Sequence, residues 1–486
     1  MVDIYEPDSR RHAQGHHGHE FGDDPYRYDG QRAWIQTKRG YIVHKFKQWT
    51  ASPSANLLWR SSSSFDAFLI AAAAQIGQAI TLLPQTLAFM GYGWGVFFLI
   101  LYAAFGSWAV FLLVWLYLEY RIRNQREARD DLQMGHILQY HEVIYGLTGR
   151  YLGNLTLVFN ILALAMAGVV QLISSASNLH YLNSNVHKRE WQILVGILSL
   201  LSVFMPGFSH FRFAAFIGVL TTTITAVYLA VAARTNGQEF GITHRGAGNM
   251  REFFTGATTI LFAFGGHGIT IEILEAMHSP EKFGFVYPLA VLYILVLSIA
   301  SSTSVYWAYG DDLLEESNAF AVLPPSHWKR FAIFSMFVHQ SIAFIIYMYP
   351  VFLVAEKMFR VHTRRFAYKV LARLPVVLLV WFVAMAMPFF GTIAAVFGSL
   401  LVSISVYFIP LLAFYLAYRD KEAQKVSVVK LSLHYPIWKF LFLINALIMV
   451  WIFIIGFCVG AWATMSQFIR DIHTYGFFDK CYQCRR

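Results

Sequence analysis

The sequence predicts an all-α integral membrane protein of eleven transmembrane helices, ten of them arranged as two inverted five-helix repeats. Three observations carry that expectation. Of the 486 residues, 57% are hydrophobic and only 14% charged, and mean hydropathy is +0.48, whereas a soluble domain carries roughly a quarter charged residues. Uncharged apolar runs of about 20 residues, the length a helix needs to cross the hydrocarbon, recur from Asp66 to Phe468. The first five runs cover residues 66–233 and the next five 253–418, spans of 168 and 166 residues. A unit with an odd number of crossings leaves the membrane on the far side, so its second copy must be inverted.

In chain order, residues 1–64 are dominated by Asp, Gly, His, Arg and Ser. Apolar side chains there are too sparse for a core, so a largely disordered cytoplasmic tail without a cleaved leader is expected. Its His12, His16, His17 and His19 read as solvated, since nothing fixes a metal geometry. The stretch Lys38, Arg39, Tyr41, Lys45, Lys47 and Trp49 mixes cations with aromatics in a way that suits an anionic leaflet. Spans are expected near 67–90, 95–118, 151–179, 192–206 and 213–233, which with the start at 65 make the first repeat. The second repeat, 253–418, holds spans near 253–275, 287–309, 331–354, 374–390 and 392–417. The 45 uncharged residues from Leu374 to Tyr418 must contain two helices, turning at Pro388-Phe389-Phe390-Gly391. An eleventh helix is expected at 440–466, followed by an extracellular tail at 467–486.

Orientation follows from the cations behind the net charge of +10. With the N-terminus in the cytosol, the inner segments hold 27 of the 38 Lys and Arg, as the positive-inside bias requires, and the C-terminus then lies outside. The sequon at Asn154 falls on the inner side and should stay unmodified. Cys458 lies in an apolar run and is expected as a small core residue. Cys481 and Cys484 form a single C-x-x-C, short of the two pairs a four-thiolate zinc site needs, so no metal is expected. No phosphate-binding glycine loop, H-E-x-x-H or G-x-S-x-G motif is present, so neither ATP-driven pumping nor catalysis is expected. The basic residues sit in short loops, which argues against nucleic acid as a partner.

The first helix of each half is interrupted. In span one Gln75-Ile-Gly77-Gln78 lies about ten residues in, with Pro84 beyond, and in span six Phe264-Gly265-Gly266-His267-Gly268 lies at the matching depth. A broken helix frees backbone groups that lipid cannot satisfy, so they must face a cavity, a substrate or an ion, and a half-helix N-terminus suits a carboxylate. Two such breaks at corresponding positions are the marker of LeuT-like carriers. Within them His267 can bind a proton on an acidic side and lose it on a neutral one, and its glycine neighbours leave little bulk to bury it. A neutral histidine held by a backbone carbonyl is the alternative. Glu272 is either a second proton site or an anchor of the bundle, and Gln171 and Asn178, seven apart on one face, either line the cavity or hydrogen-bond across helices. His339 in span eight reads as structural.

Several ordered blocks resemble the plant auxin influx carriers of the amino acid and auxin permease superfamily. They include Ser64-Phe-Asp66-Ala67, Gln171-Leu-Ile-Ser-Ser-Ala-Ser-Asn178, Phe264-Gly-Gly-His267 through Glu272, Ser317-Asn-Ala-Phe320, His339-Gln340, Pro388-Phe-Phe-Gly391 and the tail Lys480-Cys-Tyr-Gln-Cys484. The resemblance implies an eleven-helix plasma-membrane carrier that imports indole-3-acetic acid together with protons; a related small aromatic carboxylate as substrate, a monomeric state and no cofactor are expected beside it. It assigns His267 to substrate handling and proton coupling, and Gln75 and Gln78 to the central pocket. Amides near Ala74 to Gln78, including Gly77, together with Gly265, Gly266 and His267, would receive the carboxylate, and Phe264 and Phe344 the ring. Ala74 stands where the family usually has Asn, and His180, Ser184 and Glu275 replace an expected Tyr, Asp and His, so a broader or shifted specificity is expected. The alternatives are a proton-coupled carrier of neutral or aromatic amino acids and, from another class, a receptor that binds auxin without moving it.

Overall fold

A computed structural model of the chain describes residues 63–76, 79–126, 137–205, 211–238, 240–427, 436–478 and 482. The N-terminal tail up to residue 62, Gly77, Gln78, Cys481 and Cys484 lie outside the described residues. Every element among the described residues is helical. An apolar chain in lipid must satisfy each backbone N–H and C=O within the segment, and a helix does so.

The chain begins with α1 (Ser64–Ile76), opened by Asp66, whose carboxylate accepts from the backbone N–H and hydroxyl of Ser63 at 2.8 and 2.9 Å. After the break, α2 (Leu83–Met90) carries Pro84 in its first turn, where a missing N–H costs nothing, and ends at Gly91, whose φ of 80° favours glycine. Next come α3 (Tyr92–Arg126), the short α4 (Tyr140–Thr148), α5 (Arg150–Leu182), α6 (Lys188–Ser199) with a 3₁₀ turn at Leu200–Phe204, and α7 (Phe211–Asn236). The second half opens with α8 (Met250–Ala263), capped by Asn249 at 2.9 Å from the Glu252 N–H. A 3₁₀ turn at Gly266–Ile269 and α9 (Thr270–Ala276) follow. Then come α10 (Phe283–Tyr309), α11 (His327–Met358) and α12 (Phe366–Ala386). The next helix runs through α13 (Phe390–Phe397), a π-helical stretch (Gly398–Phe408) and α14 (Ile409–Tyr418). After α15 (Lys421–Val426), the last helix runs through α16 (Pro436–Trp451), a second π-helical stretch (Ile452–Val459) and α17 (Gly460–Tyr475).

Among the described residues, nine helical spans, some of them made of consecutive elements, are long and apolar enough to cross a membrane. Two expected spans are not among the nine, for physical reasons: the first is divided into 13- and 8-residue pieces, and the fourth has only 12 α-helical residues before its 3₁₀ turn. Helices overrun the expected boundaries where polar residues continue them, as in α3 to Arg126 and α17 to Tyr475. The turn expected at Pro388–Gly391 falls at 387–389, between α12 and α13, and Phe390 and Gly391 already belong to α13. Cys458 corrects the sequence reading: it is exposed rather than packed in the core, because this stretch of the last helix packs into the bundle through Ile452 and Gly456 and Cys458 lies off that buried side.

One end of the bundle is held by buried charge. Arg373 of α12 meets Glu356 of α11 at 2.5 Å, both 2% exposed, and donates to the carbonyls of Val203 and Met205 at 3.0 and 2.6 Å. Lys357 bonds Glu142 and Gln139 of the α4 capping box at 2.9 and 3.0 Å. At the opposite end the segment from Ser317 to Phe320 is itself buried, packed down into the bundle rather than over it.

Candidate functional site

The two interruptions meet. A Cβ built on Gly266 would stand 2.7 Å from Cγ of Gln75 and 2.9 Å from the carbonyl oxygen of Ala74, so only glycine allows the 3₁₀ turn to approach the end of α1 this closely. The carbonyl of Ala74 accepts from the Tyr347 hydroxyl, and Nε2 of Gln75 donates to the Tyr287 hydroxyl. Oε1 of Gln75, 1% exposed, has no hydrogen-bond partner among the described residues.

His267 occupies the middle of this junction. Its Nδ1 lies 3.0 Å from the carbonyl of Phe264, and its Nε2 lies 2.8 Å from the carbonyl of Val406 in the π-helical stretch. A neutral imidazole owns one N–H and can serve one of these acceptors, whereas an imidazolium serves both. The sequence led us to expect a lightly packed ring. Instead it is 2% exposed, with the edges of Tyr407 and Tyr287 against it at centroid distances of 5.0 and 6.1 Å. Gly106 of α3 packs beside the same cluster, where a Cβ would stand 3.6 Å from the imidazole and from the Tyr407 hydroxyl, at ordinary contact distance.

Further side chains fix the turn. The Tyr407 hydroxyl donates to the Phe264 carbonyl at 3.1 Å, and Thr270 donates to the His267 carbonyl at 2.7 Å. Asn160 of α5 donates to the Gly268 carbonyl at 3.2 Å and accepts from Ser405 at 3.2 Å. Phe264 is 1% and Phe344 3% exposed, and Phe344 lies against Gly168 of α5. The centre is thus closed around apolar and aromatic walls.

The remaining candidates separate by position. Asn178 hydrogen-bonds across helices, donating to Gln340 of α11 at 3.0 Å and accepting from Asn318 at 2.7 Å; Gln171 is buried on the same helix, two turns away. His339 is held by the Gly218 carbonyl at 2.9 Å and by Thr222 at 2.5 Å. Glu272 is 3% exposed, and its Oε2 has no hydrogen-bond partner among the described residues. Glu275 accepts from Tyr117 at 2.5 Å, which in turn accepts from Arg121 at 2.9 Å. His180 lies at the far end of α5, 2.8 Å from the Val186 carbonyl. Tyr287, Tyr347, Tyr407 and Asn160 went unnoticed in the sequence. With 26 Tyr in the chain, a phenol in an apolar run carries no signal of its own, although Asn160 inside span three could have been singled out as an intramembrane amide.

A helical membrane bundle in which two broken helices meet over a buried histidine has the construction of a carrier, not of an enzyme. The family model for transmembrane amino acid transporter protein matches residues 60–455. Auxin transporter-like protein 2 of Medicago truncatula is 42% identical over 88% of this chain and 89% of its own length. Auxin transporter protein 1 of Arabidopsis thaliana is 41% identical over 90% of each chain, and auxin transporter-like protein 1 of Oryza sativa subsp. japonica is 43% identical over 88% and 87%. The chain belongs to the transmembrane amino acid transporter family and, within it, to the auxin transporter group.

Proposed function

We propose that this protein is a proton-coupled importer of indole-3-acetic acid, working by alternating access in the plasma membrane. The observation that carries the reading is the junction of the two broken helices at His267, in a chain 41–43% identical to auxin transporters over nearly its whole length. In this reading the split first helix and the short fourth join the nine long spans to make eleven, ten of them an inverted pair of five-helix repeats. The breaks fall in the first helix of each half, as that arrangement requires. The end held by Arg373 and Lys357 is cytosolic, with the N-terminus, and the C-terminus is outside.

The chemistry follows from the hydrogen bonds. Protonated from the acidic side, His267 donates to Phe264 and Val406 together, holding the turn in one geometry. Loss of the proton leaves the ring one N–H for two carbonyls, so that it releases either Val406 or its share of Phe264, which the Tyr407 hydroxyl still holds; the loosened turn can then move, which opens the inner side and releases the substrate. The Gln75 amide and the freed backbone amides of the breaks receive the carboxylate, and Phe264 and Phe344 wall the indole. Glu272, with an oxygen unspoken for, is the second group able to carry a proton toward the cytosolic end. The carrier acts as a monomer and needs only protons as coupling ion.

Uptake of labelled indole-3-acetate by cells expressing the chain, at external pH of about 5 and about 7 with tryptophan as competitor, tests this directly. Saturable, acid-stimulated uptake indifferent to tryptophan is expected. A second reading, a carrier of neutral or aromatic amino acids, is favoured by the breadth of the family model and by Ala74, which offers the junction only its carbonyl. Uptake of tryptophan alone would establish that reading and overturn the first.

A further inference from the structure

We infer that Pro410 is a positioning residue for His267, acting through the carbonyl oxygen it leaves free; this deepens the proposed function and rests on it. A carbonyl at position i accepts from the N–H of residue i+4 in an α-helix and of i+5 in a π-helix. The Ile409 N–H bonds the carbonyl of Ile404, five residues back, and closes the π-helical stretch. The next residue is Pro410, which has no N–H. It would have served Ser405 in the π register or Val406 in the α register, and α14 resumes the four-residue register beyond it. The two carbonyls at the switch are therefore released together, and both have side-chain partners from other helices. The Ser405 carbonyl accepts from the Tyr140 hydroxyl at 3.1 Å, and the Val406 carbonyl faces Nε2 of His267 at 2.8 Å.

An oxygen already engaged by an N–H of its own helix would face the imidazole with less acceptor strength, so the proline makes the second acceptor of His267. Little else competes for the ring. The groups that face it are the phenols of Tyr287 on α10 and Tyr407 on the π-helical stretch, while α1 presents the amide of Gln75, α3 Gly106 and α5 the amide of Asn160. On α11 the nearby titratable group is Tyr347, bonded to Ala74, and the acids of α9 lie farther along the chain, Glu275 being engaged by Tyr117. With uncharged neighbours on these elements, carbonyl acceptors are the groups that favour the doubly donating imidazolium.

The test compares Pro410→Ala, which restores the N–H, with lactic acid incorporated at position 410, which keeps the N–H absent and discards the ring. At matched surface amounts, P410A should need medium more acidic by about one pH unit for half-maximal uptake, and the lactic-acid variant should follow the parent. Should P410A not reach the membrane, the α-hydroxy analogue of Tyr407 turns the Val406 carbonyl into a weaker ester acceptor, and the same acid shift is expected. A pH profile of P410A that superimposes on the parent overturns the inference, as does an equal shift in the lactic-acid variant or an unshifted profile of the Tyr407 analogue. Absence of acid-stimulated uptake in the parent defeats the transport reading and this inference with it, whereas the other outcomes leave that reading standing.

Discussion

His267 gathers its importance from what surrounds it rather than from its type. Both ring nitrogens face carbonyl oxygens, at 3.0 and 2.8 Å, and a side chain without two N–H groups cannot span them. His267→Ala should therefore remove acid stimulation altogether, lowering uptake at about pH 5 by about tenfold or more toward the level at neutral pH. Uptake by the variant that still rises on acidification, in protein counted at the cell surface, would contradict the assignment. At this scale the sequence was informative where a polar residue interrupts an apolar run, for His267, Gln75, Asn178 and Glu272 all lie inside the bundle, but it misjudged the packing of His267, whose ring is 2% exposed. It was silent about the hydroxyls that hold the turn, since Tyr347 on Ala74 and Tyr407 on Phe264 are contacts between residues 273 and 143 positions apart. Nor could it weigh Pro410, whose effect depends on a π register that no local pattern announces.

Among the elements, the spans were legible because hydrocarbon thickness sets their length, and the breaks because polar residues and glycine interrupt the apolar run, Gln75-Ile-Gly77-Gln78 in one and Gly265-Gly266-His267-Gly268 in the other. Their ends were not. Hydropathy reports where the lipid stops, whereas α3 and α17 continue as amphipathic or polar helix beyond it. The charged corner joining α6, α11 and α12 was equally hidden, since Arg373 and Glu356 read as ordinary loop-side charges until both prove 2% exposed. Removing one partner from such a pair strands the other, a loss of about 3–5 kcal/mol. Arg373→Met should accordingly lower the thermal stability of the purified carrier and its amount at the surface, because the carbonyls of Val203 and Met205 lose this donor and Glu356 is left with Lys369 alone, at 3.9 Å. The double variant with Glu356→Gln should recover part of that loss. Equal stability of Arg373→Met and the parent would mean that water reaches this corner and that the pair carries little.

For the molecule as a whole, the closed centre requires a stopper at the end opposite the charged corner, and the segment from Ser317 to Phe320 has that form. A connection buried in a bundle needs partners for its polar groups. Asn318 provides them: it donates to Asn178 at 2.7 Å and accepts from the Phe320 N–H at 3.0 Å, while the Ala319 N–H donates to the Thr81 carbonyl beside the first break at 2.8 Å. Asn178 passes the connection to Gln340, which also accepts from Ser175 and donates to Ser174. One network thus ties α5, α11, the stopper and the broken first helix, so that opening this end must undo it at two adjacent residues, Asn318 on the α5 side and Ala319 on the first helix. Asn318→Ala should leave Asn178 and the Phe320 N–H short of partners, costing about 1–3 kcal/mol in the closed state alone and shifting the equilibrium toward the state open at this end by about fivefold or more. A cysteine at Thr81, 0% exposed here, in a chain with Cys458, Cys481 and Cys484 replaced by serine, reports that shift. A membrane-impermeant thiol reagent added outside should label it faster by that factor in the Asn318→Ala background. Labelling equally slow in both backgrounds would show that the stopper is held by its apolar side chains, Phe320 foremost, and that the amide network serves packing rather than gating.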